Sequence, residues 1–184
     1  MRFILLGGIK HCGKSTLGRI AAAELGYRFY DLDNLILDEA AGSDSSAVSV
    51  RDIWRNLGEF EFRRLEEDAC RNFIEWVIPG LNSGCVLSLG GGTAENPGAM
   101  AWIGKKGINV YIRGEESLLF RRIMAGGRPP FLSEESPRED FAALYARRDA
   151  LYRNFAHIIH DVDDSPAEIN ARRLVAALER YHER

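Results

Sequence analysis

At 184 residues the chain suits one domain, 1–184, with enough length for a full hydrophobic core. Its composition, 46% hydrophobic and 28% charged, is ordinary for a globular protein, and a net charge of −3 supplies no strong field for nucleic acid. No apolar run reaches membrane-spanning length, Met1-Arg2-Phe3 leads straight into a strand with no room for a signal peptide, and Cys12, Cys70 and Cys85 are odd in number without metal-binding spacing, so they read as reduced thiols in a cytoplasmic protein.

Strand and helix signals then alternate along the chain. In order they predict a strand at 3–6, a helix at 15–25, a strand at 28–30, helices at 32–40 and 59–76, a strand at 86–89 and a helix at 97–103. A strand at 108–112, helices at 115–124 and 139–152, a strand at 157–159 and a helix at 167–181 complete the order. Gly26 stops the first helix, Pro79-Gly80 stops the long one, and residues 104–107 form a turn. Short apolar strands separated by amphipathic helices mean an α/β fold, a five-stranded parallel sheet covered on both faces. Ligands on such a sheet bind at the carboxyl ends of its strands. Residues 42–49, rich in Ser, Ala and Gly, and 125–137, with Gly126-Gly127-Arg128-Pro129-Pro130, read as mobile, the second as a flap over a site.

Residues 8–15 read Gly-Ile-Lys-His-Cys-Gly-Lys-Ser, between the first strand and the first helix. That context makes the pattern a phosphate-binding loop. Backbone N–H groups wrapped into a nest, with the positive end of the helix, hold polyphosphate. Lys14 adds a point charge to the β- and γ-phosphates and Ser15 offers a hydroxyl to magnesium. Of 24 Lys and Arg residues only four are Lys, and two of those, Lys10 and Lys14, fall in this loop. A compact ammonium fits a phosphate cradle where a planar guanidinium does not.

Asp31 and Asp33 follow the second strand. At i and i+2 on extended backbone both carboxylates face one way, into the cleft, although Asp33 also suits a helix N-cap. Three glycines at 90–92 end the third strand and let backbone approach a ligand closely, or simply turn the chain. Arg63 and Glu66 share a helix face, Arg128 stands in the flap, and Arg147 and Arg148 lie late on a helix. Each arginine alone reads as a solvated face, and only the combination raises them. Cys12 has two readings, a thiol activated by the nest or an inert small residue in a tight loop.

Taken in order, Gly-x-x-x-x-Gly-Lys-Ser-Thr, Asp-Leu-Asp, Phe-Arg-Arg-x-Glu, Leu-Ser-Leu-Gly-Gly-Gly, Gly-Arg-Pro and Arg-Asp-x-Leu-Tyr closely resemble shikimate kinase, from residue 2 to about residue 181. The resemblance implies a P-loop NTPase, three-layer α/β/α and nucleoside-monophosphate-kinase-like, with a substrate-binding segment at about 32–66 and a mobile lid at about 125–137. It implies transfer of the ATP γ-phosphoryl group to the 3-hydroxyl of shikimate, with Mg2+. Gly13, Lys14, Ser15 and Thr16 would then bind nucleotide phosphates and magnesium, and Asp31 would reach the metal through water. Asp33 would hold the shikimate hydroxyls and orient the attacking one. Arg63 and Arg148 would grip the shikimate carboxylate by fork-shaped, charge-assisted contacts. Gly91 would touch the substrate through its backbone, with Gly90 and Gly92 shaping the turn. Trp54, Phe62, Glu66 and Pro129 would line or support the pocket. Arg128 would arrive with the lid and neutralise the transferring group, and Arg122 and Pro166 would sandwich adenine. Lys14, Asp33 and Arg128 are thus the expected catalytic residues. A carboxylate is a poor base for an alcohol, so orientation and charge neutralisation carry the expected acceleration.

Three departures accompany the resemblance. His11-Cys12 stands where the family usually shows Gly-Ser, so a positive φ at position 11 would strain a His. The segment between Asp33 and Trp54 is longer than usual, mostly through 43–49, and Pro130 replaces a usual Leu. Rival readings are another small-molecule P-loop kinase, for gluconate or a nucleoside monophosphate, and a non-catalytic nucleotide-binding module. The first does not predict the glycine turn together with Arg63 and Arg148. The second tends to lose residues such as Lys14, Ser15, Asp31 and Asp33, all present here. With no apolar stripe legible, a monomer is expected, with no nucleic-acid or membrane partner.

Overall fold

Phe3–Gly7 is a run of buried residues, and this strand, β1, forms the centre of the sheet. The computed structural model describes residues 3–42, 49–129 and 131–183. Within the long segment between Asp33 and Trp54, residues 43–48 lie outside them, as does Pro130. The other strands are β2 (Arg28–Asp31), β3 (Cys85–Ser88), β4 (Ile108–Gly114) and β5 (Ile158–Val162). All pairings are parallel, in the order β2-β3-β1-β4-β5. Among the described residues seven α-helices accompany them: α1 (Lys14–Leu25), α2 (Leu32–Gly42), α3 (Val50–Asn72), α4 (Pro97–Ile103), α5 (Glu116–Ala125), α6 (Pro137–Phe155) and α7 (Ala167–His182).

Strand alternation divides the core into two layers. Ile4, Leu6, Val86, Val110 and Ile112 pack with buried residues of α1, α5, α6 and α7. Phe3, Leu5, Cys85 and Leu87 pack with those of α2, α3 and α4. The expected α/β/α arrangement with five parallel strands is therefore what forms. β1 lies between β3 and β4, so the chain crosses over it after β3. The loops leaving β1, β2 and β3 thereby gather at one end, beside the point where strand order reverses.

Several elements differ from the sequence expectation. α3 begins at Val50 rather than 59, because Ser49 caps it: its Oγ accepts from the Asp52 N–H at 3.2 Å. A break at Gly58 (φ 81°, ψ 174°) separates that first stretch from the predicted helix. Past Asn72 the chain widens into a π-helical stretch, Phe73–Val77, and tightens into a 3-10 turn, Ile78–Gly80, where a continuous helix to 76 is the simple reading. α3 also exposes Trp54 and Leu57 ahead of the break at Gly58 and Phe60 after it. Among the described residues no helix is long and apolar enough to cross a membrane, and Cys12, Cys70 and Cys85 are buried free thiols.

Candidate active site

The loop after β1 owes its shape to glycine. Gly8 has φ 150°, and a Cβ there would lie 2.5 Å from the Ile112 carbonyl oxygen. Gly13, at φ 95°, sits at the start of α1, which no side chain caps, so the first N–H groups of the helix are open to an anion. Lys14 is buried and its Nζ donates to the carbonyls of Gly8 (2.7 Å) and Ile9 (3.2 Å), which curls the loop around the ammonium. His11 has φ 65°, the left-handed conformation that strains a side chain there. Cys12 is buried, as suits a small residue filling a tight loop, and its Sγ lies 3.8 Å from the Lys14 ammonium, as suits an activated thiol, so both readings stand. Thr16 is exposed at the first turn of α1.

Asp31 ends β2 beside Ser88, its register partner on β3. Ser15 Oγ donates to Asp31 Oδ2 at 2.6 Å and lies 3.2 Å from Ser88 Oγ. Asp31 Oδ1 in turn accepts from the Asp33 N–H at 3.1 Å, which turns Asp33 toward the same end of the sheet. The Asp33 carboxyl titrates above its usual range. Burial is the main cause, the neighbouring Asp31 and Glu66 add to it, and Lys14 and Lys10 oppose it. Lys10 and His11 are pushed the other way, by burial first and then by neighbouring cations, Arg51 and Lys14 for Lys10 and Lys10, Lys14 and Arg122 for His11.

The glycine turn closes the second wall. A Cβ on Gly91 would sit 3.0 Å from the Lys10 nitrogen, so bare backbone is what lets this turn abut the phosphate loop. At Gly90 such an atom would sit 3.0 Å from Thr93 Oγ1, with Asp33 Oδ1 and Glu66 Oε1 in ordinary contact at 3.4 and 3.6 Å. Tyr152 of α6 donates its hydroxyl to the Gly90 carbonyl at 3.0 Å. Glu66, buried, joins α3 to the turn: it accepts from Thr93 Oγ1 (2.7 Å), Asn96 Nδ2 (2.9 Å) and Arg63 Nη1 (3.1 Å). Arg63 also donates to the Gly92 carbonyl at 3.1 Å and lies over the rings of Trp54 and Phe62. Arg148 of α6 reaches the turn from the opposite side and donates through Nε and Nη2 to Glu95 Oε2, at 3.1 and 2.8 Å. The same oxygen lies 3.8 Å from Arg63 Nη2. Two guanidinium groups thus converge on one carboxylate position, next to a backbone turn that touches a phosphate loop.

A family model described as shikimate kinase matches residues 10–179. The chain belongs to the shikimate kinase family. It is 34% identical over 182 residues to a shikimate kinase of Thermus thermophilus, covering 98% of this chain and 92% of that one. It is 34% identical to the enzyme of Paracidovorax citrulli, over 85% and 80% of the two chains. Among solved structures, shikimate kinase from Acinetobacter baumannii in complex with shikimate has a TM-score of 0.81 at 25% identity, covering 98% and 94%. The Bacteroides thetaiotaomicron shikimate kinase has a TM-score of 0.75 at 26% identity, covering 97% and 98%.

Within this shikimate kinase scaffold, Lys14, Ser15, Asp31, Asp33, Arg63, Gly91 and Arg148 share the carboxyl end of the sheet. Arg122 Nη2 donates to the Asp163 carbonyl (3.1 Å) and Asp164 Oδ1 (3.2 Å), in the loop that leads to exposed Pro166 at the start of α7. Arg128 stands apart from the expectation: its guanidinium donates to the Leu132 carbonyl and the Glu134 carboxylate, so the lid's own acceptors satisfy it. A cavity of about 200 Å³ between lid and phosphate loop is lined by Lys10, His11, Arg51, Gly127 and Pro129. Glu95 lies in no motif of the sequence, and Ser88 and Tyr152, though within the Leu-Ser-Leu-Gly-Gly-Gly and Arg-Asp-x-Leu-Tyr runs, have no role legible from it. Ser88 is an unremarkable strand residue until β2 is set beside β3, and the other two act through contacts more than 50 residues apart in the chain.

Proposed function

We propose that the chain transfers the γ-phosphoryl group of ATP to the 3-hydroxyl of shikimate, releasing shikimate 3-phosphate and ADP. The observation that carries this reading is the convergence of Arg63 and Arg148 on one carboxylate position beside the glycine turn and the phosphate loop. A nucleoside monophosphate offers no carboxylate to this pairing, whereas gluconate does, and the match to the shikimate kinase family model is what favours shikimate over gluconate.

Gly13, Lys14, Ser15 and Thr16 hold the triphosphate. The open N–H groups of α1 face its oxygens and the Lys14 ammonium moves from loop carbonyls to the β- and γ-phosphates. Ser15 Oγ, with the Asp31 carboxylate acting through water, is a hard-oxygen donor set that suits Mg2+. The metal, when bound, neutralises charge on the phosphates. Arg63 and Arg148 fix the acid end of the acceptor, and the Gly91 backbone flanks its ring. Asp33 then meets the hydroxyls and orients the attacking one. Its raised pKa makes it a better proton acceptor than an ordinary carboxylate, which suits a transfer in which the proton leaves late. Arg128 exchanges Leu132 and Glu134 for the transferring group as the lid, about 125–137, closes, while Arg122 and Pro166 hold adenine between them. The segment at about 32–66 carries acceptor contacts within one domain, 1–184, acting as a monomer in the cytoplasm; the three free thiols support that compartment.

ADP release with shikimate, gluconate and nucleoside monophosphates as acceptors tests the reading. Turnover on shikimate alone is expected. Turnover on gluconate or a nucleotide with none on shikimate reverses it, and tight ATP binding without turnover on any acceptor makes the chain a binding module.

A further inference from the structure

We infer that Glu95 is a built-in occupant of the acceptor's carboxylate site, so that an acid acceptor binds by displacing it, and that this exchange sets the site's selectivity for acids. The inference rests on the proposed use of Arg63 and Arg148. Glu95 ends the short 3-10 turn Thr93–Glu95, immediately after the three glycines. Its Oε2 takes both Nε and Nη2 of Arg148, the fork face that an incoming carboxylate would need, and Arg63 Nη2 faces the same oxygen from 3.8 Å. Its Oε1 accepts from Arg147 Nε at 2.7 Å. Burial raises the Glu95 carboxyl, but hydrogen bonds from Arg148 and Arg147 outweigh it and hold the group below its usual range, so it remains an anion.

The arrangement has a way to release. Arg63 does not depend on Glu95, because Glu66 and the Gly92 carbonyl already hold its Nη1. Arg147 is well exposed, with 61% of its side chain open, and can keep Glu95 paired as the carboxylate swings away from Arg148. The exchange conserves charge: one carboxylate leaves the guanidinium pair and another takes its place. A neutral polyol offers no such replacement and would leave the partly buried Arg148 guanidinium without its anion, so it is rejected.

The test compares wild type with Glu95→Gln and Glu95→Asp, the second keeping the charge on a shorter stem. Acceptor KM, ATP KM and kcat are measured by ADP release, and thermal melts report folding. Glu95→Gln should lower KM for shikimate about tenfold, the scale of one charge-assisted hydrogen bond, without moving KM for ATP. Glu95→Asp should fall between, and it decides the matter with the same readout if the Gln variant does not fold. An acceptor KM that rises or stays put means Glu95 merely holds Arg148, and overturns the inference while leaving the proposed reaction standing. If wild type prefers a different carboxylic acid, the shikimate reading falls and the same comparison is made on that acid. Turnover on no carboxylate-bearing acceptor overturns both.

Discussion

Arg63 and Arg148 aim at one atom. Glu95 Oε2 lies 3.8 Å from Arg63 Nη2 and 2.8 Å from Arg148 Nη2, although one arginine comes from α3 and the other from α6. Nothing local in the chain requires this; the sheet order brings it about. Two guanidinium groups held this close repel each other unless an anion sits between them.

Arg148→Ala should therefore raise KM for shikimate by about tenfold to a hundredfold, the range for losing charge-assisted hydrogen bonds to a carboxylate. KM for ATP should hold. Glu95 retains Arg147 in this variant, so the fold should not suffer. Steady-state kinetics check it, and an unchanged shikimate KM removes the carboxylate assignment.

Lys14→Ala and Arg128→Ala should act on kcat instead, each lowering it by roughly a hundredfold or more, because their charges meet the transferring phosphoryl group. The variants should differ in the unliganded protein. Lys14 braces the loop through Gly8 and Ile9, so its loss should also lower Tm, whereas Arg128 is tied only within the lid and its loss should leave the melt nearly unchanged.

Asp33 links pH to both stability and rate. Its carboxyl titrates above the ordinary 3.8 because burial, then Asp31 and Glu66, disfavour the anion. The folded chain thus holds that proton more tightly than the unfolded chain, and ionising Asp33 costs stability. The cost is complete above the raised pKa and vanishes as pH falls through it toward the ordinary value. Asp33→Asn should therefore melt higher than wild type at neutral pH, with the gap closing on acidification, while turnover is lost. In wild type the acid limb of kcat/KM should lie above the ordinary carboxylate range. A Tm difference that is constant with pH would contradict this.

His11→Gly should stabilise the protein by about 1 kcal/mol, since φ 65° strains a side chain and not a glycine. Urea unfolding measures it. A loss of stability would mean that the imidazole makes contacts worth more than the strain.

The phosphate loop was legible because its glycines and lysine dictate backbone shape within eight residues, and even the strain at His11 follows from that shape. The strands were legible as apolar runs, and the parallel sheet from their alternation with helices. The stretch 50–57 was not, because Gly58 interrupts the helical period and Ser49 starts a helix too short to show one. Of the site, the residues carried by motifs were found and brought together. Ser88 stands in a motif but gains a role only when β2 meets β3, and Glu95, in no motif, gains one only when α6 meets the glycine turn. The partners of Arg128 within the lid were equally invisible, because they depend on how the lid folds on itself.

Tyr152 and Arg148 lie one helical turn apart on α6, and α6 starts where the lid ends, at Pro137. The ring of Tyr152 backs onto Gly7, where a Cβ would come within 2.7 Å of it, and its hydroxyl hooks Gly90. One helix therefore joins the end of the 125–137 segment, the Arg148 guanidinium and the backbone at Gly7 and Gly90. The length and register of this single helix therefore set the spacing between the arginine clamp and the loop that leaves β1.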